Sequence, residues 1–316
     1  MTSGQRIYRD RLFNFIFGGE EHREWTLSLY NAVNETHYTD PSLIEFTTIR
    51  ETLYLGMHND VSFLISPQMN LYEQQSSFNP NMPLRLLQYT GNLYERFVTE
   101  RKKNKYGRTL ILLPVPRLVV FYNGTDDKPD EMSLYLSDAF PPDMRDQSDI
   151  QVHVRMINVN RGHSPNLLTG CRPLGEYAWI VDAIRTNEIK IQRSENMNKD
   201  RILETAISRA IDEIPDDFIT KPFLEAHRAE VMGMLLNEYN EAKAMELFRE
   251  EGRAEGRAEG RAEGRAQGKT EGKTEAFSVM RALRQILRGL GRDADFDRAI
   301  DDPAFMDQLI AEFQLG

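Results

Sequence analysis

A chain of 316 residues, 40% hydrophobic and 28% charged, is long enough for one sizeable core and a smaller second unit. A net charge of −10 argues against wholesale coating of nucleic acid, though a local basic groove stays open because only the field at a site matters. Cys171, the only cysteine, excludes a disulfide framework or zinc cluster and fits a reducing, cytoplasmic setting. Residues Met1 to Arg6 open no signal peptide, and no apolar run approaches membrane-spanning length, so no membrane partner is expected.

Taken in order, residues 8–34 read as helical. Asp10 stands near the start, Leu12, Phe13, Ile16 and Phe17 form an apolar stripe, and Gly18-Gly19 interrupts before Trp25 to Val33 resume the period. An extended segment over Glu45–Leu55 leads to a β-hairpin. Asp60 to Ile65 is its outgoing strand, Ser66-Pro67 the turn, and Met69 to Gln75 the return. Pro83 opens a helix that ends in the basic run Arg101-Lys102-Lys103-Asn104-Lys105. Arg117 to Gly124 reads as a strand buried on both faces, and Gln151–Val159 as another. Leu174–Thr186, Arg201–Ile211 and Lys221–Arg249 read as helices. The alternation predicts an α/β layer fold with the hairpin inside the sheet.

The composition then shifts. Glu-Gly-Arg-Ala recurs with period four from Glu251 through Ala266, then decays. Like charges stack at i, i+4 and each Gly costs about 1 kcal/mol relative to Ala, so an isolated helix should be marginal. The segment is expected to be a frayed, extended spacer, the alternative being a helix that packs its Gly and Ala positions on a neighbour. Apolar periodicity returns from Phe277 to Leu290, Gly291 is a helix stop, and Ala304–Phe313 forms a last helix. The expected organisation is a domain over 1–240, a spacer over 241–275 and a helical tail over 276–316. The tail is too small to be stable alone and is expected to dock on the main body or on a second copy, the latter giving a homodimer or higher homo-oligomer.

The hairpin carries the chemistry. A turn centred on Ser66-Pro67 sets Asp60 opposite Glu73, where Cβ atoms lie about 4.5–5.5 Å apart and like charges repel. A bound cation turns that repulsion into affinity. Gln75, two residues on, shares the face of Glu73. A one-residue slip would send the carboxylates to opposite faces. The rival reading has Asp60 closing a turn and Glu73 in solvent. Paired carboxylates suit Mg²⁺, with Mn²⁺ or Ca²⁺ as substitutes, and the Gln74 carbonyl could complete the coordination. An ion there polarises a phosphate and activates water, the layout of metal-dependent phosphodiesterases.

Several segments resemble the PD-(D/E)XK nuclease-family transposases, the group that includes bacterial recombination-promoting nucleases. They are Asp10 to Gly18, Asn59 to Phe63, Leu71 to Ser76, Met82 to Tyr89 and Pro116 to Gly124, followed by the repeat before a helical tail. The resemblance implies a restriction-endonuclease-like core, a mixed central sheet flanked by helices. It also implies a Mg²⁺-dependent DNA endonuclease with Asp60 and Glu73 as metal ligands. Gln75 would occupy the motif's lysine position, where a neutral amide replaces a cation and cannot act as a general base. Asn14 departs similarly, where related proteins often carry Lys.

Other candidates surround this pair. Arg85 and Gln88 share a helix face and would either aim at the scissile phosphate or line the polar side. Arg101, Lys102, Lys103, Lys105 and Arg108 form the densest basic cluster, suited to sequence-independent contact with a DNA backbone or to a solvated loop. Glu51 and His58 precede the hairpin. Without the motif's lysine, the rival to an enzyme is a silent nuclease-fold protein that binds DNA or a partner.

Overall fold

The computed structural model describes residues 12–47, 60–194 and 199–315. Asp10, Glu51, His58 and most of the expected extended segment over 45–55 lie outside them. The chain divides into two compact units, residues 1–246 and 247–316.

The first unit is built on a six-stranded mixed sheet, ordered β1-β2-β3-β4-β6-β5. Its strands are β1 (Glu45–Phe46), β2 (Val61–Ile65), β3 (Gln68–Gln75), β4 (Val115–Tyr122), β5 (Glu131–Tyr135) and β6 (His153–Asn158). β2 and β3 form the antiparallel hairpin, with Val61 opposite Tyr72 and Ile65 opposite Gln68, the register expected from the Ser66-Pro67 turn. β4 runs parallel to β3, and β6 runs parallel to β4. β5, a strand that the sequence reading does not predict although Met132 and Leu134 alternate with Glu131 and Ser133, pairs antiparallel with β6 at the edge.

Helices cover both faces. α1 (Leu12–Phe17) and α2 (Arg23–Asn34) replace the single expected helix, because the chain breaks at Gly18 and Gly19. With α5 (Arg172–Ser194) and α6 (Lys199–Asp212) they pack on one face, where Phe13, Phe63, Tyr72, Phe121, Tyr177 and Ile207 are fully buried. α3 (Met82–Glu100) covers the other face through Met82, Leu86, Tyr89 and Leu93, against Met69, Leu71 and Val120. Short α4 (Pro165–Gly170) and α7 (Lys221–Ala226) complete the layers. The expected helix from Lys221 breaks at His227, and α8 (Arg228–Gly289) begins with Val231, Met234 and Leu235 buried in the first unit.

The extended spacer is corrected: α8 is helical through the whole repeat. Ala, Arg, Glu, Gln and Lys are all good helix formers, and a helix anchored outside the repeat propagates through it without a new nucleation step. Nor do the glycines pack. At Gly256, Gly260, Gly264, Gly268 and Gly272, an added Cβ would meet nothing within 4 Å.

The second unit holds the end of α8 with α9 (Asp293–Asp301) and α10 (Pro303–Glu312). Leu283, Leu287, Ala299 and Leu309 form its small core. Gly291, at φ +70°, makes the turn after α8. Asp302 caps α10 by accepting from the Phe305 amide at 3.2 Å. Among the described residues, no helix is long and apolar enough to cross a membrane.

Candidate functional site

β2 starts at Val61 opposite Tyr72, so the next position out sets Asp60 against Glu73. The two carboxylates are tied together through the backbone. The Asp60 amide donates to Glu73 Oε1 at 3.2 Å, and the Gln74 amide donates to Asp60 Oδ2 at 2.6 Å. The Glu73 side chain is only 2% exposed, so its charge is largely withdrawn from water. Asp60 is half-buried.

α3 supplies the balancing cation. Arg85 lies one turn into the helix and brings Nη2 within 3.7 Å of Glu73 Oε2, while the same nitrogen donates to the Tyr89 hydroxyl at 3.1 Å. Burial pushes the Tyr89 phenol above its ordinary pKa, and the charges of Glu73 and Asp60 add to that rise against Arg85. Tyr89 therefore senses the field of both carboxylates. It is a site residue that sequence reasoning misses. Its spacing of four from Arg85 on one helix face is the available signal.

Gln75 shares the face of Glu73 and is 6% exposed. Its Nε2 donates to Met82 Sδ at 2.7 Å, and its Oε1 is buried with no hydrogen-bond partner among the described residues. Gln74 points through the sheet to the other side, where its Nε2 donates to Asn123 Oδ1 at 2.6 Å. A strand residue directs its N–H and C=O to the same side, so the Gln74 carbonyl turns toward the edge where its amide meets Asp60. Gly124 closes this end of β4. A Cβ there would come within 2.6 Å of the Ser76 carbonyl oxygen, so only glycine lets the two strand ends approach.

The site thus lies at the carboxyl ends of parallel strands β3, β4 and β6, the side on which open α/β sheets bind ligands. Asp60, Glu73, Gln74, Gln75 and Arg85 come together there. Gln88 is exposed, and Tyr89, not Gln88, completes the Arg85 contact. The basic cluster lies elsewhere. Arg101 follows the last residue of α3, some 16 residues beyond Arg85, or about 24 Å along the helix. The chain re-enters the sheet at Val115, opposite Gln68, whereas Glu73 is opposite Val120. Arg101 pairs with Glu45 at 3.1 Å and Lys105 with Glu95 at 2.5 Å. Lys102, Lys103 and Arg108 are exposed, with no ion pair among the described residues.

Among the described residues, no three His, Cys, Asp or Glu side chains group closely enough to hold a metal ion by themselves. The donor set is instead two carboxylates, a backbone carbonyl turned to their edge, and the unpartnered Gln75 amide oxygen. All are hard oxygens, and one or two carboxylates completed by water are what Mg²⁺ usually takes from a protein. No protein-family model, curated protein or solved structure matches this chain.

Proposed function

We propose that the protein is a Mg²⁺-dependent DNA endonuclease with a restriction-endonuclease-like core, of the transposase-like, recombination-promoting kind that its sequence resembles. The observation that carries this reading is the mutual backbone tie of Asp60 and Glu73, which holds two acidic groups together at a strand end. Like charges at opposed strand positions repel; Arg85 offsets one of the two, and a divalent ion would offset the rest.

When bound, the divalent ion would supply Lewis-acid polarisation of a phosphodiester and a water activated for attack. The chain's own groups do the rest. Asp60 and Glu73 fix the ion, with the Gln74 carbonyl and Gln75 Oε1 as further oxygen donors. Arg85 holds Glu73 in the free protein, and its guanidinium brings a positive charge beside the carboxylates that would attract a phosphate. Tyr89 keeps the guanidinium oriented. The cluster from Arg101 to Arg108 holds DNA at a distance from the reacting bond, by charge and without reading bases.

Plasmid DNA incubated with the protein and Mg²⁺ tests this. Nicking that disappears in Asp60→Ala and Glu73→Ala supports it, and nicking that persists in both removes it.

One observation favours a second reading. The Gln75 Nε2 is spent on Met82, so the motif's third position offers no cation to a phosphate. A silent member of the fold would bind DNA with strong salt dependence and cut it under no divalent metal. Metal-dependent nicking by the wild-type chain excludes that.

A further inference from the structure

A polar seam runs through the sheet behind the carboxylate pair. Gln74 is its pivot: the backbone amide holds Asp60 Oδ2 on one side, and the side chain reaches the opposite face to Asn123. Asn123 Nδ2 donates to the Tyr177 hydroxyl at 2.8 Å, and its backbone amide donates to the Gln75 carbonyl at 2.9 Å. Its own carbonyl accepts from Arg185 Nη2. Arg185 Nη1 also donates to Asn160 Oδ1 at 2.7 Å, and Asn160 Nδ2 donates to the Gly124 carbonyl at 2.9 Å. Tyr177 and Arg185 are eight residues apart on α5, so they share a face and grip the same strand ends.

Gln74, Asn123 and Tyr177 are all buried, so each must keep its partner or forfeit a hydrogen bond that water cannot replace. The ladder between β2 and β3 stops at Val61, opposite Tyr72, just short of the two acids. Beyond it β3 is held on one side only, by β4 through Gln75 opposite Tyr122, and the Gln74 side chain adds a second tie from the far face of the sheet. We infer that Tyr177 and Asn123 are positioning residues for the Asp60–Glu73 pair, transmitting the rigidity of α5 through Gln74 to the metal-binding oxygens. The inference rests on the metal-site reading above.

The test is Mn²⁺ affinity of the full chain, by calorimetry, well below the unfolding temperature. It compares wild type, Asp60→Asn, Tyr177→Phe, Gln74→Leu and the Tyr177→Phe/Gln74→Leu pair, with unfolding temperatures taken without metal. Tyr177→Phe removes only a hydroxyl and should weaken Mn²⁺ binding about fivefold, the worth of one hydrogen bond. Gln74→Leu keeps the backbone amide on Asp60 but cuts the same link. The two losses should therefore not multiply in the pair. A fall in unfolding temperature with Mn²⁺ affinity held within twofold would overturn the inference, as would losses that multiply. Should Tyr177→Phe not fold, Gln74→Leu alone decides by the same fivefold criterion. Mn²⁺ binding unaffected by Asp60→Asn sinks the metal site itself. Binding abolished in Asp60→Asn but unmoved by the seam variants sinks only this proposal.

Discussion

The Asp60 amide donates to Glu73 Oε1 at 3.2 Å, so one acid orients the other through the main chain and not through its side chain alone. Replacing either carboxylate should leave that backbone group or its partner in place while removing an oxygen of the proposed metal site. Asp60→Ala and Glu73→Gln are expected to lower Mg²⁺-dependent nicking on the order of 100-fold or more, with circular dichroism unchanged. Supercoiled-plasmid relaxation over a Mg²⁺ series measures it.

Arg85 predicts effects of opposite sign. It is 36% exposed, so screening keeps its pull on Glu73 modest, and under the proposed function it would compete with the ion for that carboxylate. Arg85→Ala should tighten Mn²⁺ binding by roughly threefold to tenfold while slowing cleavage. Arg85→Lys restores charge but not the planar guanidinium whose Nη2 meets both Glu73 and Tyr89, and should recover only part of the rate. Calorimetry and single-turnover cleavage on the same preparations separate the two effects.

The basic cluster should act on binding alone. Lys102→Ala, Lys103→Ala and Arg108→Ala together should flatten the plot of log K against log salt by up to about 0.9 for each phosphate left unneutralised. Cleavage at saturating DNA should stay within twofold of wild type. A matching fall in the saturated rate would place these residues in the reaction instead.

Alkaline pH should unfold the protein through its buried neutral groups. Burial pushes the Cys171 thiol from its ordinary 9.0 up to about 12. The folded chain therefore holds that proton when the unfolded chain has released it. Stability from this source is intact below pH 9 and falls as pH rises from 9 toward 12, at about 1.4 kcal/mol per pH unit. Burial also raises Tyr72 and Tyr239, which add losses of the same sign above pH 10. Cys171→Ala should flatten the decline between about pH 9 and 10 in urea titrations, though it costs some packing at neutral pH.

Gly256, Gly260 and Gly264 of α8 have open space where a side chain would go. Gly256→Ala, Gly260→Ala and Gly264→Ala should each stabilise the helix by about 1 kcal/mol. Ellipticity in the far ultraviolet should then persist to higher temperature. A loss of helix on these changes would mean that something approaches those positions closely.

Much of the hairpin is legible in the chain because period-two patterning and Ser66-Pro67 together fix one register, and with it the opposition of Asp60 and Glu73. The buried strand from Val119 to Tyr122 is equally plain, since four consecutive apolar residues leave no solvent face. Other features depend on contacts distant in sequence. The partnership of Arg85 with Glu73 needs α3 laid across β3, and the link from Gln74 to Asn123 needs β4 beside it. β5 alternates, but over only five residues, with two apolar positions facing in, too short a run to stand out from the loops around it. The repeat misleads for a different reason. Its local energetics are near balance, so context decides between helix and coil.

Under the proposed function, α3 would also act as a ruler. The distance from Arg85 to Arg101, about 24 Å, matches roughly seven phosphates along one DNA strand at about 3.4 Å each. A duplex lying beside this helix would meet the lysines only if it extends roughly seven base pairs past the cut. If the chain is the endonuclease proposed above, oligonucleotides trimmed below that length should compete poorly for it, yet be cleaved at an undiminished rate once every molecule is occupied.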